Sequence, residues 1–284
     1  MYRQQDGRIW LIGGTGESRE LACAIAQSRL PCTISVTSEA AKKMYPLAPE
    51  LSLRVARFTE DTLIQFLQQE NIIAVVDASH PFAVEISRLA IAITTQQHIP
   101  YLRYERPDIN PHTGCNLTGC DATAIERSTV AGTVHPIQLE SFDDLLAGEW
   151  LRSQRVLLAI GYQPLPRFRC WQTQATLFAR ILPSPIALET ALNAGFAPDR
   201  LIALRPPISC DLERALWQQW RLSLVVTKAS GTGGGEHIKR QLAAELGIPL
   251  VIIARPKIEY PKKTSEIANA IAFCRQHLFS GFNA

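Results

Sequence analysis

The feature that most constrains this chain is a repeating alternation. Short runs of Val, Ile and Leu recur along it, each followed by an amphipathic stretch of helical period. Two of the runs pass straight into glycine clusters. Ile9-Trp10-Leu11-Ile12 enters Gly13-Gly14-Thr15-Gly16, and Val225-Val226-Thr227-Lys228 enters Ala229-Ser230-Gly231-Thr232-Gly233-Gly234-Gly235. Strand–helix units repeated in one direction require crossover connections, which make parallel sheets of right-handed βαβ units. The run Ile72–Val76 is apolar throughout, as a strand covered on both faces must be. The expected fold is therefore α/β: two Rossmann-like lobes, each a parallel sheet flanked by helices, with a cleft between them.

At 284 residues the chain is near the size at which one core divides into two. The stretch Pro107–Thr133 lacks periodicity and is rich in Gly, Thr, Cys and Asn. It reads as the connection, giving an N-terminal lobe over 1–130 and a C-terminal lobe over 131–284. The first lobe is expected to hold strands near Arg8–Ile12, Thr33–Thr37, Leu51–Phe58, Ile72–Val76 and Pro100–Arg103. Its helices start at the glycine loop, at the Thr59 cap and at Pro81. The second lobe is expected to repeat the rhythm and to close with a helix over Thr264–Phe279.

Hydrophobic residues make up 46% of the chain and charged residues 19%, which suits a packed core rather than disorder. A net charge of +3 is too small to argue for nucleic acid and fits a small anionic ligand as well. The first residues are polar, and no apolar run approaches the ~18 residues of a membrane span. The seven cysteines form no CxxC pair, which agrees with a reducing compartment, and a cytoplasmic location is expected. His112, Cys115 and Cys120 match no closed zinc pattern, so no metal is expected.

The segment Gly13-Gly14-Thr15-Gly16-Glu17-Ser18-Arg19 follows the first strand and opens a helix. That order brings backbone N–H groups and a helix N-terminus to a phosphate, and glycines let the backbone approach closely. The alternative is a turn that merely joins strand to helix. No Gly-Lys-Ser/Thr follows, so this is not a Walker loop. Sites for NAD place an acid near the end of the second strand. Here that strand ends Val36-Thr37-Ser38, Glu39 comes late, and Lys42 and Lys43 follow. Thr37 and Ser38 are thus candidates for the ribose, and the lysines favour a 2′-phosphate and hence NADPH. Their alternative is a solvated helix face.

The strand Ile72–Val76 ends in Asp77-Ala78-Ser79-His80-Pro81-Phe82-Ala83. Ligands of open parallel sheets bind at the carboxyl ends of strands, so Ser79 and His80 are candidates for a site role. Asp77 reads equally as a helix cap. In the second glycine loop, Lys228, Ser230, Gly231, Gly233 and Gly234 form a candidate second anion cradle with a cation beside it, the alternative being a lid without ligand contacts. Arg180 and Arg255 follow strand ends and are candidates for carboxylate recognition.

In their order along the chain, Gly13–Arg19, Asp77–Ala83, Leu157-Leu158-Ala159-Ile160-Gly161, Ala179-Arg180-Ile181-Leu182-Pro183, Val226–Gly231 with Gly233-Gly234, and Ala254-Arg255-Pro256 resemble the precorrin-6A reductase family, including its cobalt-precorrin-6A branch. The resemblance implies NADPH-dependent reduction of one macrocycle double bond to the dihydro form, in cobalamin biosynthesis. It implies that Gly13–Arg19 hold the pyrophosphate, that Ser79 and His80 lie near the nicotinamide, and that Lys228–Gly235 close over cofactor and substrate. Arg180, Arg255 and Lys228 would meet the acidic arms of the tetrapyrrole. Tyr162, His80 and bulk water are the candidate proton donors. The segment Gly231–His237 departs somewhat from the family's form.

Two other readings compete with this one. A short-chain dehydrogenase needs Tyr-x-x-x-Lys, and Tyr45, Tyr101, Tyr104, Tyr162 and Tyr260 all lack lysine four residues on. A non-catalytic NADP-binding sensor would have no need of the second glycine loop and its arginines.

Overall fold

A computed structural model describes residues 7–105, 115–116 and 135–279. The chain divides into two compact units, one of Met1–Pro107 with Lys257–Ala284, the other of Asp108–Pro256.

The first unit is built on a six-stranded sheet in the order β13-β5-β4-β1-β2-β3. The strands are β1 (Arg8–Ile12), β2 (Cys32–Val36), β3 (Leu51–Val55), β4 (Ile72–Asp77), β5 (Tyr101–Tyr104) and β13 (Lys263–Thr264). Every neighbouring pair is parallel. Successive side chains of a strand point to opposite faces, and both faces of this sheet are covered, which explains why β1 is apolar from Ile9 to Ile12. Ile9 and Leu11 pack under helices Gly16–Gln27 and Ile267–Phe279, with Leu21, Ile25, Ile271 and Phe273. Trp10 and Ile12 pack on the other face, with Leu63, Leu67, Ala90 and Ile93 from helices Glu60–Gln69 and Val84–Gln96.

The boundary differs from the expected division at residue 130. The last helix does not belong to the second unit. β13 pairs with the edge strand β5, and the helix Ile267–Phe279 buries Ala270, Phe273 and Cys274 against the first sheet. Local periodicity marks a helix but not the sheet on which its apolar face lands. Most of the expected connection, Pro107–Thr133, lies outside the described residues.

The second unit carries a seven-stranded sheet in the order β10-β9-β8-β11-β12-β7-β6. Its strands are β6 (Cys115–Asn116), β7 (Ile137–Leu139), β8 (Arg155–Ala159), β9 (Thr176–Ile181), β10 (Leu201–Ala203), β11 (Leu224–Lys228) and β12 (Leu250–Ile253), all paired in parallel. Helices Pro185–Asn193 and Cys210–Gln219 start at Ser184 and Ser209, whose side chains cap them. Strand β7 and the helix Phe142–Ala147 are too short to leave a periodic signature, and the 3-10 turns over Leu165–Thr173 do not follow the period of an α-helix. Among the described residues, no helix is long and apolar enough to cross a membrane.

Each sheet has one point where strand order reverses. In the first, β1 has β2 on one side and β4 on the other; in the second, β8 has β9 on one side and β11 on the other. Such switch points open a crevice at the carboxyl ends of the strands. The first therefore gathers the loops after Ile12 and Asp77, and the second gathers Gly161, Tyr162 and the loop after Lys228.

Candidate functional site

The loop after β1 is held by a closed set of hydrogen bonds. The Gly13 N–H donates to the carbonyl of Ser35 at 2.9 Å, and the Gly14 N–H donates to the Tyr45 hydroxyl at 2.7 Å. Thr15 and Ser18 form a capping box: the Ser18 N–H donates to Thr15 Oγ1 and the Thr15 N–H to Ser18 Oγ, both at 3.0 Å. Thr15 Oγ1 also donates to the carbonyl of Ala78 at 2.9 Å, tying this loop to the one after β4. Among the described residues, the Gly16 N–H, first in the twelve-residue helix, has no protein acceptor. Side chains built at Gly14 or Gly16 would meet no atom within 4 Å. An open surface, an available amide and a helix N-terminus fit a phosphate.

The sequence treats Gly13–Arg19 as one contact surface, and the structure separates their roles. Gly14, Gly16 and Arg19 are exposed, and Thr15 and Glu17 are partly so. Ser18 is fully buried, 2.6 Å from the Tyr45 hydroxyl, and shapes the loop from behind. Gly13 is required by the same tyrosine: a Cβ there would sit 2.3 Å from its hydroxyl oxygen. Burial raises the Tyr45 pKa, so the hydroxyl stays protonated. Sequence reading missed Tyr45 because nothing local distinguishes it from a core aromatic.

β2 ends at Val36, and Thr37 and Ser38 are exposed beyond it. Ser38 caps the short helix Glu39–Lys42, accepting the Ala41 N–H at 3.2 Å. Glu39 lies 3.9 Å from Lys42, and Lys43 is exposed.

The loop after β4 rests on a buried polar hub. Asp77 is fully buried and saturated. Its Oδ1 accepts from Arg103 Nη1 and from the Ser79 N–H, both at 2.9 Å. Its Oδ2 accepts from Ser87 Oγ and the Tyr101 hydroxyl, both at 2.6 Å. Asp77 therefore holds the loop, and neither the expected cap of the next helix nor direct ligand contact describes it. That helix starts at Val84, not Pro81, with Ala83 as its N-cap. His80 and Phe82 make a turn instead: the Phe82 N–H donates to His80 Nδ1 at 3.2 Å and the Ala83 N–H to the His80 carbonyl at 2.7 Å. In the neutral ring the imidazole proton then sits on Nε2. His80 is exposed, and Ser79 is buried. Arg103 is fully buried; burial works against its charge, but Asp77 leads the partners that hold its pKa above the ordinary value. Arg103 Nη2 also lies 3.2 Å from Glu105 Oε1, Lys263 Nζ lies 2.6 Å from Glu105 Oε2, and Tyr260 lies under the guanidinium at 5.2 Å.

In the second unit, Gly161 (φ 78°) turns the chain after β8 and leaves Tyr162 half-buried. Lys228 ends β11 with its ammonium 5.8 Å from the centre of the Phe142 ring, and burial pulls its pKa down to about 8. Arg255 Nε donates to the carbonyl of Ala229 at 3.0 Å, fixing the start of the glycine loop. The loop itself is latched from its own helix. Glu236 Oε2 accepts the Gly231 N–H at 2.9 Å, and Lys239 Nζ donates to the carbonyls of Gly234 and Gly235 at 2.9 and 3.2 Å. Gly231 is therefore closed to a ligand anion by a carboxylate. Ser230 is half-buried, Gly233 is exposed and Gly234 is partly exposed. Arg180 forms a largely buried ion pair with Glu213, whose other oxygen accepts from Trp217 Nε1 at 3.3 Å. The expected role of Arg180 in gripping a substrate carboxylate gives way to this pairing.

The profile of the family described as "Precorrin-6x reductase CbiJ/CobK" matches residues 8–275. The chain belongs to this family. A precorrin-6x reductase-type chain is also what individual relatives indicate. The cobalt-precorrin-6A reductase of Synechocystis sp. is 40% identical over 273 residues, spanning 95% of this chain and 97% of that one. The precorrin-6A reductase of Rhodococcus erythropolis is 31% identical over 270 residues, spanning 94% and 96%. A solved structure of CobK precorrin-6A reductase superposes with a TM-score of 0.71 at 24% identity, covering 95% of this chain and 97% of its own, and shares the fold. The sensor reading gains no support from these relatives.

Proposed function

We propose that this precorrin-6x reductase family member uses NADPH to reduce one double bond of the macrocycle of precorrin-6A or its cobalt form. The observation that carries the reading is the family match over residues 8–275, joined to a phosphate-fitting loop at the switch point of the first sheet. NADPH is preferred over NADH because no acid ends β2 while Lys42 and Lys43 follow it.

The amide of Gly16, the open backbone surface at Gly14 and the exposed guanidinium of Arg19 would take the pyrophosphate, with Thr15 and Ser18 holding the loop in shape. Thr37, Ser38 and Lys43 would take the adenosine ribose and its phosphate. When bound, the cofactor supplies the hydride. The protein's own part is orientation and electrostatics. Ser79 and His80 border the reacting end, and the imidazolium form of His80 is one proton source. In the second unit, Tyr162 and Lys228 stand at the switch point, where Lys228, Ser230, Gly233 and Gly234 suit the acetate and propionate arms of a tetrapyrrole. Arg255 supports that loop. A cytoplasmic location suits such chemistry.

The test is anaerobic incubation of the full chain with NADPH and precorrin-6A, metal-free or cobalt-loaded. Tetrapyrrole-dependent loss of the reduced-nicotinamide absorbance is expected. Absence of that loss with both substrates would reject the reading.

A further inference from the structure

Asp77 and Arg103 are register partners across β4 and β5, so the ion pair is set by the sheet itself. Its consequence for Ser79 follows from counting protons. Arg103 Nη1 carries two hydrogens; one meets Asp77 Oδ1 at 2.9 Å and the other meets Ser79 Oγ at 3.1 Å. The Ser79 oxygen is therefore an acceptor from a cation. The neighbouring Ser87 hydroxyl gives its proton to Asp77 Oδ2 at 2.6 Å and stands 3.5 Å from Ser79 Oγ, the outer limit of a hydrogen bond. The carboxylate of Asp77 is filled by four donors. The Ser79 proton thus has no good acceptor within the protein among the described residues, in a residue only 6% exposed. A buried hydroxyl left in this state is costly unless a ligand completes it.

The side of the sheet indicates which ligand atoms are in reach. A dinucleotide lays its pyrophosphate on the loop after β1 and its adenosine ribose at the end of β2. β4 lies on the opposite side of β1 from β2. The nicotinamide half must therefore run toward the end of β4, where Ser79 sits. We infer that Arg103 is a positioning residue that makes the Ser79 hydroxyl an obligate donor to an acceptor on the nicotinamide half of the bound cofactor. This rests on the NADPH reading above. Neither the resemblance nor the glycine motif singles out Arg103.

The test compares NADPH with 2′,5′-ADP, which lacks the nicotinamide half, by titration calorimetry on the full chain. Ser79→Ala is expected to weaken NADPH by about five- to tenfold, the loss of one hydrogen bond, and to leave 2′,5′-ADP within about twofold. Arg103→Lys should show the same selectivity, and the double variant should bind NADPH no more weakly than the weaker single variant. An unchanged NADPH affinity in Ser79→Ala, or equal losses of both ligands, would overturn the inference. Should Arg103→Lys fail to fold, the Ser79→Ala comparison decides alone. If the unaltered chain binds neither ligand, it is the NADPH reading itself that fails.

Discussion

The hydroxyl of Tyr45 accepts the Gly14 N–H at 2.7 Å and lies 2.6 Å from Ser18 Oγ, so a residue beyond β2 braces the loop that follows β1. Tyr45→Phe leaves the Gly14 amide without its acceptor. Stability should fall by about 1 kcal/mol and NADPH should bind several-fold more weakly. The same tyrosine explains Gly13. Gly13→Ala should be poorly tolerated alone, and Tyr45→Phe should partly restore it, because the 2.3 Å clash is with the hydroxyl. Denaturant unfolding of the two single variants and the double variant checks this. Simple additivity would show that the tyrosine hydroxyl is not what demands glycine at position 13.

Lys43 is exposed just past the end of β2, beside the ion-paired Lys42 and Glu39. Lys43→Glu should lower kcat/KM with NADPH by about tenfold and leave that with NADH nearly unchanged, the effect of one charge-assisted contact. Steady-state rates with the two coenzymes measure it. Equal changes for both would remove Lys43 from the 2′-phosphate.

Burial lowers the Lys228 pKa to about 8. Lysine is charged below its pKa, so attraction for an acidic tetrapyrrole is full below that value and fades as pH rises through it. KM for the tetrapyrrole should climb on the alkaline side. In Lys228→Met that climb should vanish, with a raised KM at neutral pH and an unchanged melting profile. A Met variant that keeps the alkaline limb would assign the titration to another group.

Lys239 is almost wholly buried, and burial, with Arg180 adding to it, lowers its pKa from 10.5 to about 7 against the pull of Glu213 and Glu236. Between those values the unfolded chain binds more protons than the folded one. Stability should therefore rise with pH across that window, by at most about 1.4 kcal/mol per pH unit. Lys239→Met should lose this slope, and it should loosen the loop by leaving the Gly234 and Gly235 carbonyls without their donor. Urea unfolding at several pH values reads the slope. An equal slope in both chains would contradict the assignment.

Much of the first unit was legible from local pattern. Ile9–Ile12 and Ile72–Val76 announced buried strands, Thr59 announced its helix, and Gly13–Gly16 announced a strand-to-helix turn. These features depend on residues close in the chain, through backbone geometry and the periodicity of burial. The tertiary structure decided what distant segments do to one another. Sheet order set Asp77 beside Arg103, turned Arg180 onto Glu213, and brought the last helix back to the first sheet. It also buried Ser18, which the sequence places in the pyrophosphate loop, and Lys239. A charge or hydroxyl carries no local mark of its eventual partner. The partner is chosen by strand register and by the cost of leaving a polar group buried and unpaired, and both exist only once the sheet has formed.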